Sequence, residues 1–480
     1  MRTHNTKAIV AFTMAGALAV GACDFNITNP NSPPPCGPNA SADEIKSCAV
    51  GVLVALRVDV QRIVLNGAIL GREGYRLDTA DPRFTSELLE GPLDPSNDAF
   101  GGGQWATEFR AIQSGYTILN VIGSAQITAG EKDAVRGFVH TIQGLAFLMI
   151  LNSHTEDSIP IDVNRPASAP LAPFVSNDSA YKHVQSLLDS GKTELQAAVT
   201  ASAGFPFDPG PGFTGFNAPD AFLKFNRALA ARVHAYRASL AALTAGIYNN
   251  IGWSCTACYD SVLADLSESF MSVGGAMDVG VYHVYSTGNQ DTPNPLAQDT
   301  ATTVNLVHPF IQDSAELQAP PNNTQLDKRF LAKVTPRGSN FSLNCLTSGL
   351  SWIRYPTPNS PIPMIRNEEL ILLDAEARWF TGDPAGAIAD LNLVRQTSGG
   401  LDPLATPPAT DPEFVDALLH ERQYSLLYEV AHRWVDMRRF GRLGQVVIDR
   451  PSGCPANNIT KPDVVFSSLP VNSFEVQARQ

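Results

Sequence analysis

Residues 419–439 read Leu-His-Glu-Arg-Gln-Tyr-Ser-Leu-Leu-Tyr-Glu-Val-Ala-His-Arg-Trp-Val-Asp-Met-Arg-Arg. Apolar residues recur here at spacings of three and four, which predicts one helix from about Pro412 to Phe440. Charged residues fall between them at spacings that permit ion pairs within the helix. A structural helix locked by buried charge pairs is therefore favoured over a catalytic role. One side of this helix is formed by Leu419, Gln423, Leu426, Leu427, Val430 and Trp434.

A helix pair is predicted just upstream. Residues 367–380 and 385–396 have helical periodicity and are separated by Thr-Gly-Asp-Pro. Gly382 can take the left-handed conformation that ends the first helix, Asp383 can cap the second, and Pro384 fits its first turn. This punctuation is typical of a tight antiparallel pair, like one unit of a tetratricopeptide repeat. Since no regular repeat of about 34 residues runs through the chain, any such array is degenerate.

Helical periodicity also dominates the first half of the chain, whereas the middle differs. Residues 259–361 are rich in Gly, Pro and short β-branched stretches, with Val279–Tyr285 the clearest alternating strand. Long irregular connections of this kind often carry binding residues. We therefore expect a mostly α-helical protein with an N-terminal helical part at 40–258, a loop-rich variable part with short strands at 259–361, and a C-terminal helical part at 362–480. The helices predicted in the first half span residues 42–66, 105–127, 134–152, 180–200 and 221–244.

The first residues have the features of an export signal. Two basic residues precede an uncharged stretch at 8–22, which is too short to span a membrane as a helix. Val20-Gly21-Ala22-Cys23 has the pattern called a lipobox, which predicts a signal peptide at 1–22 and a lipid on Cys23. The alternative is an ordinary signal peptide with a chance cysteine at its end. Residues 23–39, rich in Pro and Asn, are predicted to form a flexible tether between the lipid and the folded body.

Charge and cysteine content narrow the function further. The chain has 47 acidic and 34 basic residues, and this acidity argues against binding of nucleic acid. Six cysteines follow Cys23, and an even number in an exported protein suggests disulfides. Proximity favours Cys36–Cys48 and Cys255–Cys258, and elimination leaves Cys345–Cys454. Cys255 and Cys258 also have the spacing of half a zinc site or of a redox motif, but no second pair or suitably spaced histidines accompany them, so no metal is expected.

The C-terminal stretches resemble the SusD/RagB family. Glu421-Arg422, Tyr428-Glu429 and Arg433 to Arg438 are similar to the family's Glu-Arg, Glu-Gly, Arg and Asp-Leu-x-Arg, with Val430 in place of the glycine. Upstream, residues 366–377 are similar to an Arg-x-x-Glu before an Ala-Glu-Ala helix, and residues 387–395 to Ala-x-x-x-Leu-Asn-x-Val-Arg. Weaker similarity extends over most of the mature chain. The matched signature residues are Arg366, Glu369, Glu376, Glu421, Arg422, Glu429, Arg433, Asp436 and Arg438.

This resemblance implies a mostly helical lipoprotein in which four degenerate tetratricopeptide-like pairs support a variable, loop-rich part. It also implies a cell-surface position at the outer membrane, over a TonB-dependent transporter of the SusC type. There such a protein captures a nutrient, usually an oligosaccharide, and acts as the lid of the transporter. Neither catalysis nor a cofactor is implied. An Asp directly after the lipidated cysteine, here Asp24 after Cys23, is an inner-membrane retention signal in some bacteria. The sequence therefore does not decide which membrane leaflet holds the lipid.

Glycan binding requires exposed aromatic rings together with polar groups that reach the hydroxyls. The main alternative is a lipid-anchored glycoside hydrolase, since two catalytic carboxylates can hide among the many acidic residues. The chain contains neither G-x-S-x-G nor H-E-x-x-H, which disfavours other common hydrolases. The third reading is a structural tetratricopeptide-like scaffold without a small ligand. The candidate ligand-binding residues are Arg76, Asp78, Arg83, Trp105, Tyr282, Tyr285 and Trp352.

Overall fold

The structure, a computed structural model, describes residues 36–100, 103–155, 159–166, 168–244, 257–289 and 291–480. The predicted signal peptide, Cys23 and most of the predicted tether lie outside the described residues. Helices make up most of the regular structure. They are α1 (Ala42–Arg57), α2 (Val60–Leu70), α3 (Glu87–Glu90), α4 (Gly103–Val121), α5 (Ala129–Ser153), α6 (Asn177–Thr200), α7 (Pro219–Thr244), α8 (Cys258–Glu268), α9 (Pro309–Asp313), α10 (Lys328–Leu331), α11 (Asn367–Phe380), α12 (Pro384–Val394), α13 (Asp411–Ser425), α14 (His432–Arg439) and α15 (Ser473–Gln477).

Successive long helices pack on one another, as in a tetratricopeptide-like array. Along the chain α4 packs on α5, α5 on α6, α6 on α7 and α7 on α8, while α1 covers α4. The predicted C-terminal pair is present as α11 and α12, and Asp383 caps α12 by accepting the N–H of Gly386. Because α11 also packs on α7 and α8, the C-terminal pair is joined to the N-terminal helices. The predicted mostly helical scaffold is confirmed.

Helix α5 lies at the centre of this array. Thr128 and Glu131 form a capping box at its start, in which each side chain accepts the backbone N–H of the other residue. A Cβ on Gly137 would lie 2.6 Å from Leu195 Cγ, so the glycine permits the close approach of α6. By length and composition α5 is apolar enough to cross a membrane, but most of it is buried inside the fold. It is a core helix.

The strands are short and form three small antiparallel sheets. The largest has the strand order β1-β5-β7-β6, and the other two are the pairs β2-β3 and β4-β8. The β4-β8 pair ends where α11 begins, so it connects the variable part to the C-terminal helices. The strands are β1 (Gly74–Arg76), β2 (Ile159–Pro160), β3 (Phe174–Val175), β4 (Gly280–His283), β5 (Asn305–Val307), β6 (Val334–Leu343), β7 (Leu346–Trp352) and β8 (Ile362–Arg366).

The helix predicted from Pro412 to Phe440 is wrong in one respect, because the structure divides it into α13 and α14. Between them Tyr428 and Ala431 have φ angles of 57° and 60°, although neither is glycine. This conformation is held by tertiary contacts: the ring of Tyr428 stacks on Trp352, and Ala431 packs directly against Gly67. Local periodicity continues through the break, which is why the sequence does not reveal it.

The helix predicted at 42–66 is likewise divided, into α1 and α2, with the break at Val58 and Asp59. Asp59 has φ −111° and ψ 6°, outside helical geometry. The change of direction lets α1 pack on α4 and α2 pack on α14. One continuous apolar pattern in the sequence therefore provides the contact surfaces of two helices, which pack against different partners.

Two disulfides are described, and both join cysteines that the sequence analysis paired. Cys36 is bonded to Cys48, at the start of the described chain and within α1. Cys345 in the β6–β7 turn is bonded to Cys454, 109 residues further along. Cys255 lies outside the described residues, so the Cys255–Cys258 pairing stays a prediction.

Candidate functional site

The charged signature residues lie inside the protein and connect its helices. Arg232 on α7 donates two hydrogen bonds to Glu369, at 2.7 and 2.6 Å. Arg439 on α14 donates two to Glu376, at 2.6 and 2.7 Å. Both carboxylates belong to α11, so these pairs fix α11 to α7 and α14. The buried signature residues are Arg366, Glu369, Glu376, Glu421, Arg422, Glu429, Arg433 and Asp436, whereas Arg438 is half-buried.

Most ion pairs of the signature run between elements rather than within one helix. Glu421 accepts a hydrogen bond from Arg329 on α10 at 2.7 Å. Arg422 on α13 donates to Asp436 on α14 at 2.7 Å. The expectation of ion pairs within a single helix is therefore wrong for these residues, while Asp436 and Arg439 do form such a pair at 2.8 Å.

The remaining signature arginines also bind internal acceptors. Arg366 lies 3.1 Å from Glu429, Arg433 donates to the carbonyl of Gly71 at 2.9 Å, and Arg438 donates to two main-chain carbonyls. Burial alone would raise the pKa of Glu429, but Arg366 and its neighbouring cations hold that pKa well below its usual range. All three arginines thus bind groups inside the protein, and the contacts support a structural role.

A cluster of possible metal ligands lies beside this network. Ligand atoms of Glu316, His420 and Glu421 are within 4.8 Å of one another. However, Arg395 binds both carboxylates, at 2.7 Å from Glu316 and 2.6 Å from Glu421, and His420 is 3.0 Å from Glu316. Contact with His420, followed by that with Arg395, lowers the pKa of Glu316. Guanidinium groups already neutralise both carboxylates, so these residues form ion pairs rather than a free ligand set for a cation.

Three of the candidate ligand residues lie at the end of β1 and in the segment that follows it. Arg76 and Asp78 form an ion pair at 2.8 Å, and the Arg76 guanidinium lies 4.4 Å from the ring centroid of Phe84. Arg83 donates two hydrogen bonds to Asp81, at 2.8 and 2.9 Å. Both arginines are thus paired with nearby carboxylates, although the Nε–H of Arg76 is buried without an acceptor among the described residues. None of the three residues lines the Trp105 cavity, the basic chamber or the two cavities beside the loop at 208–216.

Tyr285 and Trp352 are core residues, which corrects the expectation that they offer a surface for sugar rings. Trp352 is 8% exposed, and its ring stacks on Tyr428 with centroids 4.0 Å apart. Tyr285 is 6% exposed, and the guanidinium of Arg57 lies 5.3 Å from its ring centroid. A ring that stacks on a sugar must have at least one face open to solvent, and these two rings are buried. The structure does not bring the seven candidates together.

Trp105 lines a cavity of about 480 Å³, which we name the Trp105 cavity. It lies between α4, residues 160–166 and 169–172, and the C-terminal helix α15. This volume is within the range of small-molecule sites, roughly 300–1,000 Å³. Its apolar walls include Trp105, Phe109, Pro160, Val163, Pro170, Leu171 and Phe474, and its polar groups include Gln113, Arg165, Asn472, Glu475 and Arg479.

The rings of this cavity differ in what they can offer a ligand. Trp105 is only 4% exposed, because Phe109, His154 and Phe174 pack around it with centroids 5.1 to 5.8 Å away. Phe474, by contrast, is 67% exposed. Trp105 therefore forms the floor of the cavity, and Phe474 provides an open aromatic face at its rim.

Arg479 fixes the C-terminal helix against the other wall. Its guanidinium binds Glu475 at 3.0 Å, donates to the carbonyl of Ala172 at 2.5 Å, and lies 4.2 Å from the ring centroid of Phe174. Glu475 is the single carboxylate among the described lining residues. The arrangement provides apolar and aromatic surface beside amide, carboxylate and guanidinium groups.

Tyr282 lies at a different place, half-buried on β4. It lines a cavity of about 700 Å³, the basic chamber, and two smaller cavities of about 300 and 330 Å³ beside the loop at 208–216. The Tyr282 hydroxyl donates to the carbonyl of Asp278. The charged residues that line the basic chamber are Lys328, Arg329, Lys333, Arg354, Arg366, Asp278 and Glu368.

Several residues of these cavities were not found from the sequence. Phe474 and Arg479 come from the C-terminus, where the only signal is one aromatic residue in an otherwise polar stretch. Arg165 belongs to a loop without periodicity. Lys333 and Arg354 lie in the variable part, which was the predicted region for a ligand, but no motif distinguishes them from other basic residues.

The fold and the cavities define a tetratricopeptide-like helical scaffold with small-molecule-sized openings. Residues 354–468 match the sequence model of the SusD family. The predicted resemblance is thereby confirmed, since the chain has the family's sequence pattern over these residues. Its fold is SusD-like over most of its length. No curated protein matches the chain.

Solved structures with the same fold share little sequence with the chain. A SusD superfamily protein from Bacteroides vulgatus is 14% identical with a TM-score of 0.65, and the match covers 91% of this chain and 97% of that one. NanU from Bacteroides fragilis is 14% identical with a TM-score of 0.58, covering 88% and 94%. A laminarin-binding SusD-like protein is 15% identical with a TM-score of 0.53, covering 90% and 97%. At these identities the likeness concerns the fold.

Proposed function

We propose that the protein is a glycan-binding lipoprotein of the cell surface. In this proposal a lipid on Cys23 anchors it at the outer membrane, and it acts as the lid of a SusC-type TonB-dependent transporter. The lipobox at residues 20–23 and the SusD-like fold support the anchor and the location. A laminarin-binding protein of the same fold supports a glycan as the ligand.

The observation that carries the proposal is the Trp105 cavity. Sugars present apolar ring faces and hydroxyl groups, so a suitable site combines aromatic surface with amides, carboxylates and guanidinium groups. Phe474 supplies the open ring, while Gln113, Asn472 and Arg479 supply polar groups beside it. The cavity therefore has both kinds of group within one opening.

The same cavity disfavours a glycoside hydrolase. Hydrolysis of this type requires two carboxylates that flank the bond, and only Glu475 is present among the described lining residues. Glu475 is moreover held by Arg479. Binding without turnover is the function that this geometry supports.

Calorimetric titration with laminarin and a panel of neutral oligosaccharides tests the proposal. We expect saturable binding without released products, and a loss of affinity of about threefold to tenfold in Phe474→Ala, since a stacked ring contributes on this scale. Val476→Ala, in the same helix and 41% exposed, is the matched control and should bind normally. Unchanged affinity in Phe474→Ala argues against the Trp105 cavity, and released sugars argue for the hydrolase.

A further inference from the structure

The basic chamber is separate from the Trp105 cavity and has a different chemistry. Its described lining contains five cationic side chains against two carboxylates. Three of the cations are buried or nearly so: Lys333, Arg329 and Arg366. A charge withdrawn from water is costly unless a counter-charge and hydrogen bonds replace the water. Each of these buried cations therefore requires an internal counter-charge or a bound anion.

Arg329 is balanced. It binds Asp327 at 2.6 Å and Glu421 at 2.7 Å, so two carboxylates attend one guanidinium. Because Glu421 is shared with Arg395, this side of the chamber is close to neutral. The excess charge must lie elsewhere in the wall.

The excess positive charge of the chamber wall lies around Glu429. Arg366, Arg354 and Lys333 approach the same carboxylate oxygen at 3.1, 3.2 and 3.9 Å. The second carboxylate of this group, Glu368, pairs with Arg366. Three basic groups thus share two carboxylates, so one positive charge is left at the wall of the chamber when Lys333 is protonated.

Hydrogen-bond donors are also left over at this point. Two of the three N–H groups of Lys333 go to the carbonyls of Tyr424 and Ser425, at 2.8 and 2.5 Å. Among the described residues, the carboxylate nearest to this ammonium group is that of Glu429, and 3.9 Å is too long for a hydrogen bond to the third N–H. The Nε–H of Arg354 is buried without an acceptor among the described residues. Burial lowers the pKa of Lys333 to about 7, as expected for an ammonium with too little compensation.

We propose that the basic chamber binds an oxyanion-bearing ligand, whose carboxylate or sulfate group pairs with Lys333 and Arg354. One such group matches both the excess charge and the unused donors. The chamber, at about 700 Å³, is far larger than a bare oxyanion, and Tyr282 and Ser360 offer uncharged wall for the rest of the molecule. An acidic saccharide suits this space. The inference that the ligand is a saccharide rests on the proposed function, whereas the inference that it carries an oxyanion does not.

The test compares the binding of inorganic sulfate, trigalacturonate and neutral galactotriose to the full mature chain. We expect sulfate to bind and to compete with trigalacturonate, while galactotriose does not displace either. Arg354→Gln should weaken both oxyanions about tenfold or more, because hydrogen bonds between charged groups have contributions of this size. Lys328→Gln, at the exposed rim, should weaken them severalfold and keeps the test valid if Arg354→Gln fails to fold.

Lys461→Gln is the matched control, since it removes the same charge from an exposed position outside the chamber. Equal weakening in Lys461→Gln and in the chamber variants would mean general attraction to a basic surface and would overturn the proposal. Displacement of sulfate by galactotriose, or no competition between sulfate and trigalacturonate, would overturn it as well. Phe474→Ala should leave sulfate affinity unchanged, so failure here is distinct from failure of glycan binding in the Trp105 cavity.

Discussion

At the scale of single residues, the structure separates charges that are matched from charges that are not. Glu369, Glu376 and Glu421 each meet a guanidinium at 2.6 to 2.7 Å. Glu108 on α4 is fully buried, and neither of its oxygens has a hydrogen-bond partner among the described residues. Removal of one partner from a buried pair is costly, whereas an unpaired acid can keep its proton.

Glu108 makes stability depend on pH. Burial, with a smaller effect of Asp59, raises the pKa of Glu108 from 4.5 to about 8. The unfolded chain releases this proton above pH 4.5 while the folded protein keeps it, so the free energy of unfolding falls as the pH rises towards 8. Glu108→Gln should reduce this fall by an amount on the order of 2–4 kcal/mol between pH 5 and pH 8.

Urea denaturation at both pH values measures the effect. Glu73, whose pKa burial also raises to about 8, contributes to the same fall, so the variant reduces it without abolishing it. Glu268→Gln, at a largely exposed position paired with Lys192, serves as the control and should leave the pH dependence unchanged. An identical fall in Glu108→Gln and the unmodified protein would contradict the assignment.

At the scale of elements, the helix break between α13 and α14 shows how tertiary contacts override local pattern. The break lies where α2 crosses the start of α14, and the closest approach involves Gly67 and Ala431. A Cβ on Gly67 would lie 2.3 Å from the Cβ and 2.5 Å from the Cα of Ala431. Since backbone atoms are involved, no side-chain rotation can make room.

Gly67→Ala should therefore destabilise the protein by about 1–3 kcal/mol, as overpacking of a close contact does. Gly51→Ala is the matched control: Gly51 is an exposed glycine of α1, and a Cβ there would meet nothing within 4 Å. That substitution should stabilise by about 0.5–1 kcal/mol, because alanine loses less backbone entropy in a helix. Thermal unfolding of the two variants should shift in opposite directions. An unchanged or raised unfolding temperature for Gly67→Ala would show that the contact between Gly67 and Ala431 is loose enough to accept a methyl group.

The elements also show what could be predicted from the sequence. The α11–α12 pair was predicted with its turn, because Gly382, Asp383 and Pro384 act locally. The break at Tyr428 was not, since nothing in the adjacent residues requires a left-handed backbone there. The contact of Arg366 with Glu429 and that of Arg433 with the carbonyl of Gly71 were likewise not predictable, because these acceptors come from segments distant in sequence.

At the scale of the whole molecule, contacts distant in sequence hold the variable part to the C-terminus. The Cys345–Cys454 disulfide closes a loop with a sequence separation of 109, and the nearby Arg450–Asp463 pair is buried at 2.6 Å. Cys36–Cys48 closes a separation of only 12. A long closed loop restricts the unfolded chain more than a short one does.

Replacing both Cys345 and Cys454 by serine should lower the free energy of unfolding by about 2–5 kcal/mol. The Cys36→Ser, Cys48→Ser double variant should cost less, because the loop that it opens is shorter. Guanidinium denaturation under oxidising conditions compares the two. A larger loss for the Cys36–Cys48 pair would contradict this order. It would mean that the disulfide at the start of α1 contributes more to the free energy of unfolding than the disulfide at the β6–β7 turn.

The candidate sites belong to this largest scale, which is why few of their residues could be predicted from the sequence. The Trp105 cavity combines α4, residues 160–166 and 169–172 and the C-terminal α15, and the basic chamber combines α10, β4, β8 and the residues around Arg354. Each contributing segment lacks a motif of its own. Trp105 and Tyr282 were predicted from residue type alone, and their roles in binding stay predictions.

The separation of the signature network from the Trp105 cavity has a consequence for engineering and for divergence. None of the residues that line this cavity belongs to the matched signature. The cavity can therefore acquire new side chains while the ion pairs that fasten α11, α13 and α14 stay intact. We expect libraries randomised at Gln113, Leu171 and Phe474 to yield mostly folded proteins with altered ligand preference, so that the scaffold is a natural starting point for selecting new sugar receptors.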